Sequence, residues 1–95
     1  MNPILKIHEK DNVATCLRPV ATGEVFDLKD LQLIANEDIP QFHKIALTDI
    51  PVHGPILKYG QIIGLATQRI CRGDYVHVHN IESTRGRGDR EGDAK

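Results

Sequence analysis

The chain has 95 residues, with 12 basic and 13 acidic residues and a formal net charge of −1. This length suits one domain with a small core, because folding buries only about 60% of the unfolded surface at this size. The balanced charge argues against nucleic-acid binding, which needs a basic surface. No apolar run approaches the ~18 residues of a membrane span, and no signal-peptide layout opens the chain. We therefore expect a cytoplasmic protein without a membrane or nucleic-acid partner.

Short apolar runs separated by turn residues predict strands rather than helices. Residues 4–8 and 13–17 are predicted strands flanking a polar turn, and residues 45–47 form a buried strand. Residues 56–66 read as two strands joined by a bend at 59–61, because Gly60 and Gly64 would each cost a helix about 1 kcal/mol. Residues 26–34 fit either an extended strand or a short helical turn, and we favour the strand.

One turn pattern recurs along the chain. It occupies residues 20–25, 39–45 and 70–76, with a variant one residue longer at 50–56. Each copy has the chemistry of a reverse turn that enters a strand, and glycine supplies a positive φ where it occurs. Turns at intervals of roughly ten residues predict an all-β barrel or sandwich. We assign residues 1–81 to this domain and residues 82–95, which are polar and glycine-rich, to a disordered tail.

The segment from residue 75 to residue 80 carries the strongest sign of chemistry. As a strand it would place Tyr75, His77 and His79 on one face, because side chains alternate with period 2. The two imidazoles would then lie roughly 6–7 Å apart and could share a metal ion or flank an anion. The alternative is a pair of half-exposed histidines on a sheet face. A metal site would need further ligands, from His43, His8 or a carboxylate of a partner.

Other basic residues lie at turns. His43 and Lys44 follow one turn and Lys58 precedes another, where such side chains suit a carboxylate or phosphate ligand. They could equally be solvated turn residues. The chain has no nucleophile elbow, phosphate loop, HExxH or CxxC motif. We therefore do not expect it to be an enzyme on its own.

Four short blocks resemble one known family. They are residues 6–8 with 11–14, residues 43–47, residues 58–60 with 63–64, and residues 76–80. In this order they are similar to the SAF-type domain of the altronate and galactarate dehydratases, which is related to the small subunit of sulfolactate sulfo-lyase. The resemblance implies a small β-clip fold. The family usually has glycine before the His-Lys pair, where this chain has Phe42, so a turn with positive φ would be strained there.

The resemblance also implies a function. Such a chain would be the small subunit of a hydroxy-acid dehydratase, a carbon–oxygen lyase, and would line or cap the active site of a large catalytic subunit. The assembled enzyme would use a divalent metal, iron. The resemblance makes His77, His79 and His43 candidate catalytic residues and Lys44, Lys58 and Tyr59 candidate substrate-binding residues.

Three alternatives stay open at this point. The chain could be a stand-alone module that binds a sugar acid or another anion without catalysis. It could be the small subunit of a sulfolactate sulfo-lyase. It could also be a small β domain that binds a metal through His77 and His79. Exposed strand edges would allow a dimer or trimer in each case.

Overall fold

The computed structural model describes residues 3–28 and 31–83. Within these ranges the chain forms nine β-strands and no helix, which confirms the predicted all-β class. No helix long and apolar enough to cross a membrane occurs among these residues. The strands are β1 (Ile4–Leu5), β2 (Val13–Cys16), β3 (Val25–Leu28), β4 (Leu31–Ile34), β5 (Lys44–Ala46), β6 (Pro55–Lys58), β7 (Gln61–Ala66), β8 (Tyr75–Val76) and β9 (Ile81–Ser83).

A four-stranded antiparallel sheet divides the domain. Its strands lie in the order β1-β2-β5-β8. Directly opposed residues share a face, so Val13 and Ala46 point one way while Ala14 and Ile45 point the other. Each face is covered by its own apolar core, and strands buried on both faces carry apolar residues at successive positions. The first core contains Ile4, Ala14, Cys16, Val20, Phe26, Leu33, Ala35, Ile39, Ile45 and Leu47, and the second contains Val13, Ala46, Ile50, Ile56, Ala66, Ile70 and Val76.

Each of the two cores is completed by one antiparallel hairpin. The β3–β4 hairpin brings the paired residues Phe26 and Leu33 to the first core. The β6–β7 hairpin, extended by β9, brings Ile56 and Ala66 to the second. The predicted bend at residues 59–61 is confirmed, since β6 ends before it and β7 follows. The single strand predicted over residues 26–34 is wrong, because β3 and β4 pair with each other to bury their apolar faces in one core.

The recurring sequence pattern forms a turn of one geometry, at residues 20–25, 39–44, 50–55 and 70–75. In each copy the fifth N–H donates to the second carbonyl, at 3.0, 3.1, 2.8 and 2.9 Å. The fourth residue has a positive φ, which makes the turn type II. These fourth residues are Gly23 (φ 87°), Phe42 (69°), His53 (69°) and Gly73 (93°). The prediction of a longer turn at residues 50–56 is therefore wrong. His53, and not Gly54, is the fourth residue with the positive φ, so this turn has the same length as the other three.

The turns pair up, so that the chain contains two similar halves. Isolated bridges join Val20 to Ile39 in the first half and Ile50 to Ile70 in the second. Each half runs strand, turn, hairpin, turn, and the second half ends at β8 beside β5. This return of the chain places the residues after β8 next to those that precede β5.

The end of the domain lies further along than expected. β9 includes Glu82 and Ser83, which were assigned to the tail, and pairs with β7. Residues 84–95 lie outside the described residues. The disorder of the tail therefore stays a prediction.

Candidate functional site

Four aromatic side chains meet at the end of the sheet formed by β5 and β8. The ring centroids of His43 and His77 are 4.5 Å apart. Tyr75 lies 5.6 Å from His77, with nearly parallel rings, and 5.2 Å from His79. The Nδ1 atom of His43 shares a hydrogen bond of 2.6 Å with the hydroxyl of Tyr75. We call these four residues the imidazole cluster. All three of its histidines were predicted candidate site residues.

The predicted strand through His77 and His79 is wrong, although both side chains reach the cluster. β8 stops at Val76, and residues 77–80 form a turn in which the N–H of Asn80 donates to the carbonyl of His77. The buried Asn80 side chain fixes this turn: its Oδ1 accepts from His77 N–H at 3.0 Å, and its Nδ2 donates to the carbonyl of Tyr75 at 2.8 Å. Both histidines therefore contact Tyr75 because of a turn, and not because of strand alternation.

Lys44 lies near the imidazole cluster, and Lys58 lies near Lys44. Lys44 is half-buried in β5, opposite Val76 and Thr15. Burial lowers the pKa of Lys44, and the nearby charge of Lys58 lowers it further. No carboxylate among residues 3–28 and 31–83 forms a salt bridge with either ammonium group. A half-buried cation with no counter-ion is unfavourable unless an anion binds to it.

Burial and the charge of Lys44 also act on His77. Burial lowers its pKa, and His43, Lys44 and His79 lower it further, in that order. The imidazole of His77 is therefore held in its neutral form near neutral pH, where it can accept a proton or donate a hydrogen bond. Lys44 thus acts on both Lys58 and His77, and we call the imidazole cluster, Lys44 and Lys58 the basic site.

Lys58 and Tyr59 are positioned by residues that lie far away in the sequence. The carboxylate of Asp11 accepts hydrogen bonds from the N–H groups of Tyr59 (3.0 Å), Gly60 (2.8 Å) and His8 (3.0 Å). Burial raises the pKa of Asp11, but these donors and the charge of His8 bring it below its usual value. The ring of Tyr59 in turn lies 5.1 Å from the Nζ of Lys58, a cation–π contact.

Asn12 bonds to the same hairpin, on strand β6. Its Nδ2 donates to the carbonyl of Pro55, and its Oδ1 accepts from the N–H of Leu57. Residues 11 and 12 were interpreted from sequence as an ordinary polar turn. Their occurrence as an Asp-Asn pair before an apolar run was the available signal, but it did not reveal their partners on β6 and in the bend that follows it.

The predicted metal site at His77 and His79 stays a prediction. No group of three or more His, Cys, Asp or Glu residues in the described part of the chain is placed to hold a metal ion. His43 and His77 also face each other as tilted rings, and Nδ1 of His43 is engaged by Tyr75. The described residues therefore do not fit an iron site by themselves, and a complete ligand shell would have to come from elsewhere.

An open groove of about 460 Å³ lies on the other side of Tyr75. Its walls are mostly apolar, and the carboxylate of Glu24 in it is already paired with Arg18. This groove was not predicted, because its walls combine two turns of the first half with Tyr75 of β8. Its lining residues are Pro19, Val20, Ala21, Glu24, Asp38, Ile39, Pro40 and Tyr75.

Comparison with known proteins gives relatives of two kinds. A family model described as altronate/galactarate dehydratase SAF domain matches residues 2–84. Altronate dehydratase of Bacillus subtilis (strain 168) is 40% identical over 83 residues, which are 87% of this chain and 17% of that protein. Galactarate dehydratase (L-threo-forming) of Escherichia coli (strain K12) is 43% identical over 74 residues, 76% of this chain and 14% of that protein. The chain thus spans less than a fifth of the length of these dehydratases.

A relative of similar size also exists. The (2R)-sulfolactate sulfo-lyase subunit alpha of Chromohalobacter salexigens is 38% identical over 65 residues. The match covers 67% of this chain and 69% of that subunit.

Proposed function

Because the chain belongs to the altronate/galactarate dehydratase SAF domain family, we propose that its basic site binds the carboxylate of a hydroxy acid during a lyase reaction. The observation that carries this proposal is the pair of lysines, Lys44 and Lys58. Lys44 lies near both Lys58 and His77, and neither lysine has a carboxylate partner in the described residues. A carboxylate is the ligand that would compensate this charge.

The reaction would be an elimination next to that carboxylate. A base removes the proton beside the carboxylate, and negative charge develops on the carboxylate oxygens. A double bond then forms between the α and β carbons, and the β-hydroxyl group takes a proton and departs as water. Lys44 and Lys58 would stabilise this charge. The neutral His77, or the pair formed by His43 and Tyr75, would move a proton to or from the substrate.

The chain would act together with a larger catalytic protein. The dehydratase relatives contain a much longer sequence than the part matched here. The site described above is open and lacks a complete metal shell among the described residues. We therefore propose that His43, His77 and His79 line one side of an active site whose other side, with any iron, belongs to that larger protein.

A second candidate is favoured by one observation. The relative of comparable length is called a sulfo-lyase subunit alpha. A sulfonate is also an anion that two lysines can bind, and its elimination begins with the same proton abstraction. Substrate preference separates the two candidates. A chain that binds one of these acids but forms no complex with a larger lyase protein would instead be the stand-alone module.

Titration of the 95-residue chain tests the site directly. Altronate, galactarate and (2R)-sulfolactate are added in turn, and backbone amide shifts are followed by NMR. We expect Lys44→Met and Lys58→Met each to weaken binding by about tenfold, the effect of losing about 1.4 kcal/mol. Lys10→Met, which removes an exposed lysine outside the site, is the matched control and should bind normally. Equal binding by all four proteins would refute the proposed site.

The histidines are tested in the assembled enzyme. We expect His77→Ala and His79→Ala to lower kcat more than they raise KM, because a proton-transfer group acts mainly in the transition state. Variants that assemble and turn over like the unmodified enzyme would show that the cluster only caps the site.

A further inference from the structure

The hydroxyl of Thr15 is a buried polar group without a hydrogen-bond partner. Thr15 is half-buried in β2, and its Oγ1 is the only buried side-chain nitrogen or oxygen of the described residues that lacks such a partner. Buried hydroxyl groups are nearly always hydrogen-bonded, because an unpaired one loses its contacts with water and gains nothing in return. A partner that comes from outside the chain would explain this exception.

Thr15 lies directly opposite Lys44 of the basic site. The register of β2 and β5 pairs these two residues, and β8 pairs Val76 with Lys44 on its other side. Directly opposed residues point to the same face of the sheet, with Cβ atoms about 4.5–5.5 Å apart. Because Val76 belongs to the second core, the Thr15 hydroxyl and the Lys44 side chain share the face that carries this core.

Lys44 is also without a partner, and the fold does not require a charge at its position. Its ammonium group forms no hydrogen bond or salt bridge with the described part of the chain. Lys44 precedes the turn at residues 50–55 by six residues, as Ala14 precedes the turn at residues 20–25, and Ala14 is buried in the first core. An ammonium donor and a hydroxyl donor therefore lie side by side at positions where the repeat accepts an apolar residue.

We propose that Thr15 is a further binding residue of the basic site, and that its hydroxyl donates a hydrogen bond to a carboxylate bound beside Lys44. This inference rests on the proposed function and adds a neutral donor to the two lysines. A carboxylate has two oxygen atoms and can accept from an ammonium group and a hydroxyl group at once. The bound acid would then pair a hydroxyl that has no partner within the chain.

Access to the hydroxyl depends on Lys44. The Lys44 side chain is long, and no hydrogen bond to the described residues fixes it in place. Side chains of this kind change rotamer within nanoseconds. An acid that draws the ammonium group outwards would therefore reach the hydroxyl without any movement of the backbone.

Thr15→Val separates a binding role from a structural one, because the two roles predict opposite changes in Tm. Valine has nearly the shape of threonine but no hydroxyl, so the ligand-free chain loses an unpaired buried polar group and its Tm should rise by several degrees. Altronate, titrated by NMR as above, should bind about tenfold more weakly, because a hydrogen bond to a charged group is lost. Thr15→Ser keeps the hydroxyl and should bind altronate as the unmodified chain does.

Thr48→Val is the matched control, since Thr48 is exposed and lies outside the basic site. It should change neither the Tm nor the affinity for altronate. Unchanged affinity in Thr15→Val would overturn the proposal. A lowered Tm together with weaker binding would also overturn it, because the hydroxyl would then support the fold rather than the ligand.

Acetate identifies the part of the acid that the hydroxyl contacts, because it offers a carboxylate and no hydroxyl group. The initial slope of the amide shifts against acetate concentration is measured at constant ionic strength. Thr15→Val should lower the affinity for acetate by the same factor as the affinity for altronate, about tenfold. A loss confined to altronate would mean that Thr15 contacts the hydroxyl groups of the acid, and would overturn the proposed contact.

The proposal and the proposed function can fail separately. Weaker binding by Lys44→Met and Lys58→Met, with normal binding by Thr15→Val, removes the hydroxyl contact alone. Weaker binding of both acids by Thr15→Val with a raised Tm, and normal binding by the two lysine variants, refutes the role given to the lysines and supports the hydroxyl contact.

Discussion

Asp11 is predicted to be the residue that fixes the Lys58–Tyr59 turn on the body of the domain. Its side chain is only 5% exposed and accepts three backbone hydrogen bonds, from His8, Tyr59 and Gly60, at 2.8–3.0 Å. Replacing it by alanine leaves three N–H groups without an acceptor, two of them 48 and 49 residues away in sequence. The perturbation should therefore destabilise the fold and release the turn that carries Lys58.

The magnitude follows from the number of bonds. A hydrogen bond to a charged group contributes about 1.5–3 kcal/mol when fully buried. Water can partly replace the acceptor at an exposed turn, so about 1 kcal/mol per bond is a reasonable value here. We expect Asp11→Ala to cost about 3 kcal/mol, out of a total stability of about 5–15 kcal/mol for a domain of this size. Asp11→Asn keeps the shape and one acceptor oxygen, and should cost about half as much.

The effect should depend on pH with a definite sign. The pKa of Asp11 is below its ordinary value, so the unfolded chain binds the proton more readily than the folded one. The contribution of the charge is thus fully present above about pH 4 and is lost as the pH falls through the folded-state pKa. The difference between the unmodified protein and Asp11→Asn should shrink on acidification.

Urea unfolding followed by circular dichroism measures these free energies. Asp27→Asn is the matched control, because Asp27 is exposed and its carboxylate accepts one hydrogen bond from the described residues, from the amide of Gln32 at 3.3 Å. It should change stability by less than about 0.5 kcal/mol. A loss of less than about 1 kcal/mol for Asp11→Ala, or equal losses for Asp11→Asn and Asp27→Asn, would refute the reasoning.

Two further predictions concern His77 and the repeated turn. Because the pKa of His77 is lowered, the folded state loses stability as the pH falls from about 6.5 towards the folded-state pKa. Replacing His77 removes this loss. The drop in Tm between pH 7.5 and pH 5 should therefore be smaller for His77→Gln than for the control His53→Gln. Identical drops would contradict this. Gly73→Ala should cost about 3 kcal/mol or more, because its Cβ would lie 2.1 Å from the carbonyl oxygen of Ile34 at a φ of 93°. Gly23→Ala, with a φ of 87° and no atom within 4 Å, should cost only about 1 kcal/mol by chemical denaturation. Similar losses for both would mean that the close approach at Gly73 has no energetic consequence.

The all-β class and the repeated turn could be predicted because they depend on local chemistry. Glycine at residue 23 and at residue 73 supplies the positive φ that a type II turn requires, and short apolar runs between turns favour strands. The bend after Lys58 followed from two glycines that a helix would not tolerate. The same local reasoning failed at residue 53, where a histidine adopts the positive φ and the neighbouring glycine does not.

The sequence indicated which histidines belong to the candidate site, but not how they are arranged in space. Alternation along a strand was a reasonable basis for pairing His77 with His79, yet the buried Asn80 converts that segment into a turn. Periodicity reports only which side of a strand a residue occupies. It does not reveal that one buried amide, that of Asn80, bonds to the N–H of His77 and to the carbonyl of Tyr75.

The sequence by itself determined the residue types at the site, the turns that end its strands, and the family to which it belongs. Only the tertiary structure decided that Lys44 lies near Lys58, that Asp11 holds the bend that follows β6, and that His43 meets Tyr75 and His77. These contacts join positions between 14 and 49 residues apart. Such distances are set by how two hairpins fold onto a shared sheet, and no local pattern of residues encodes them.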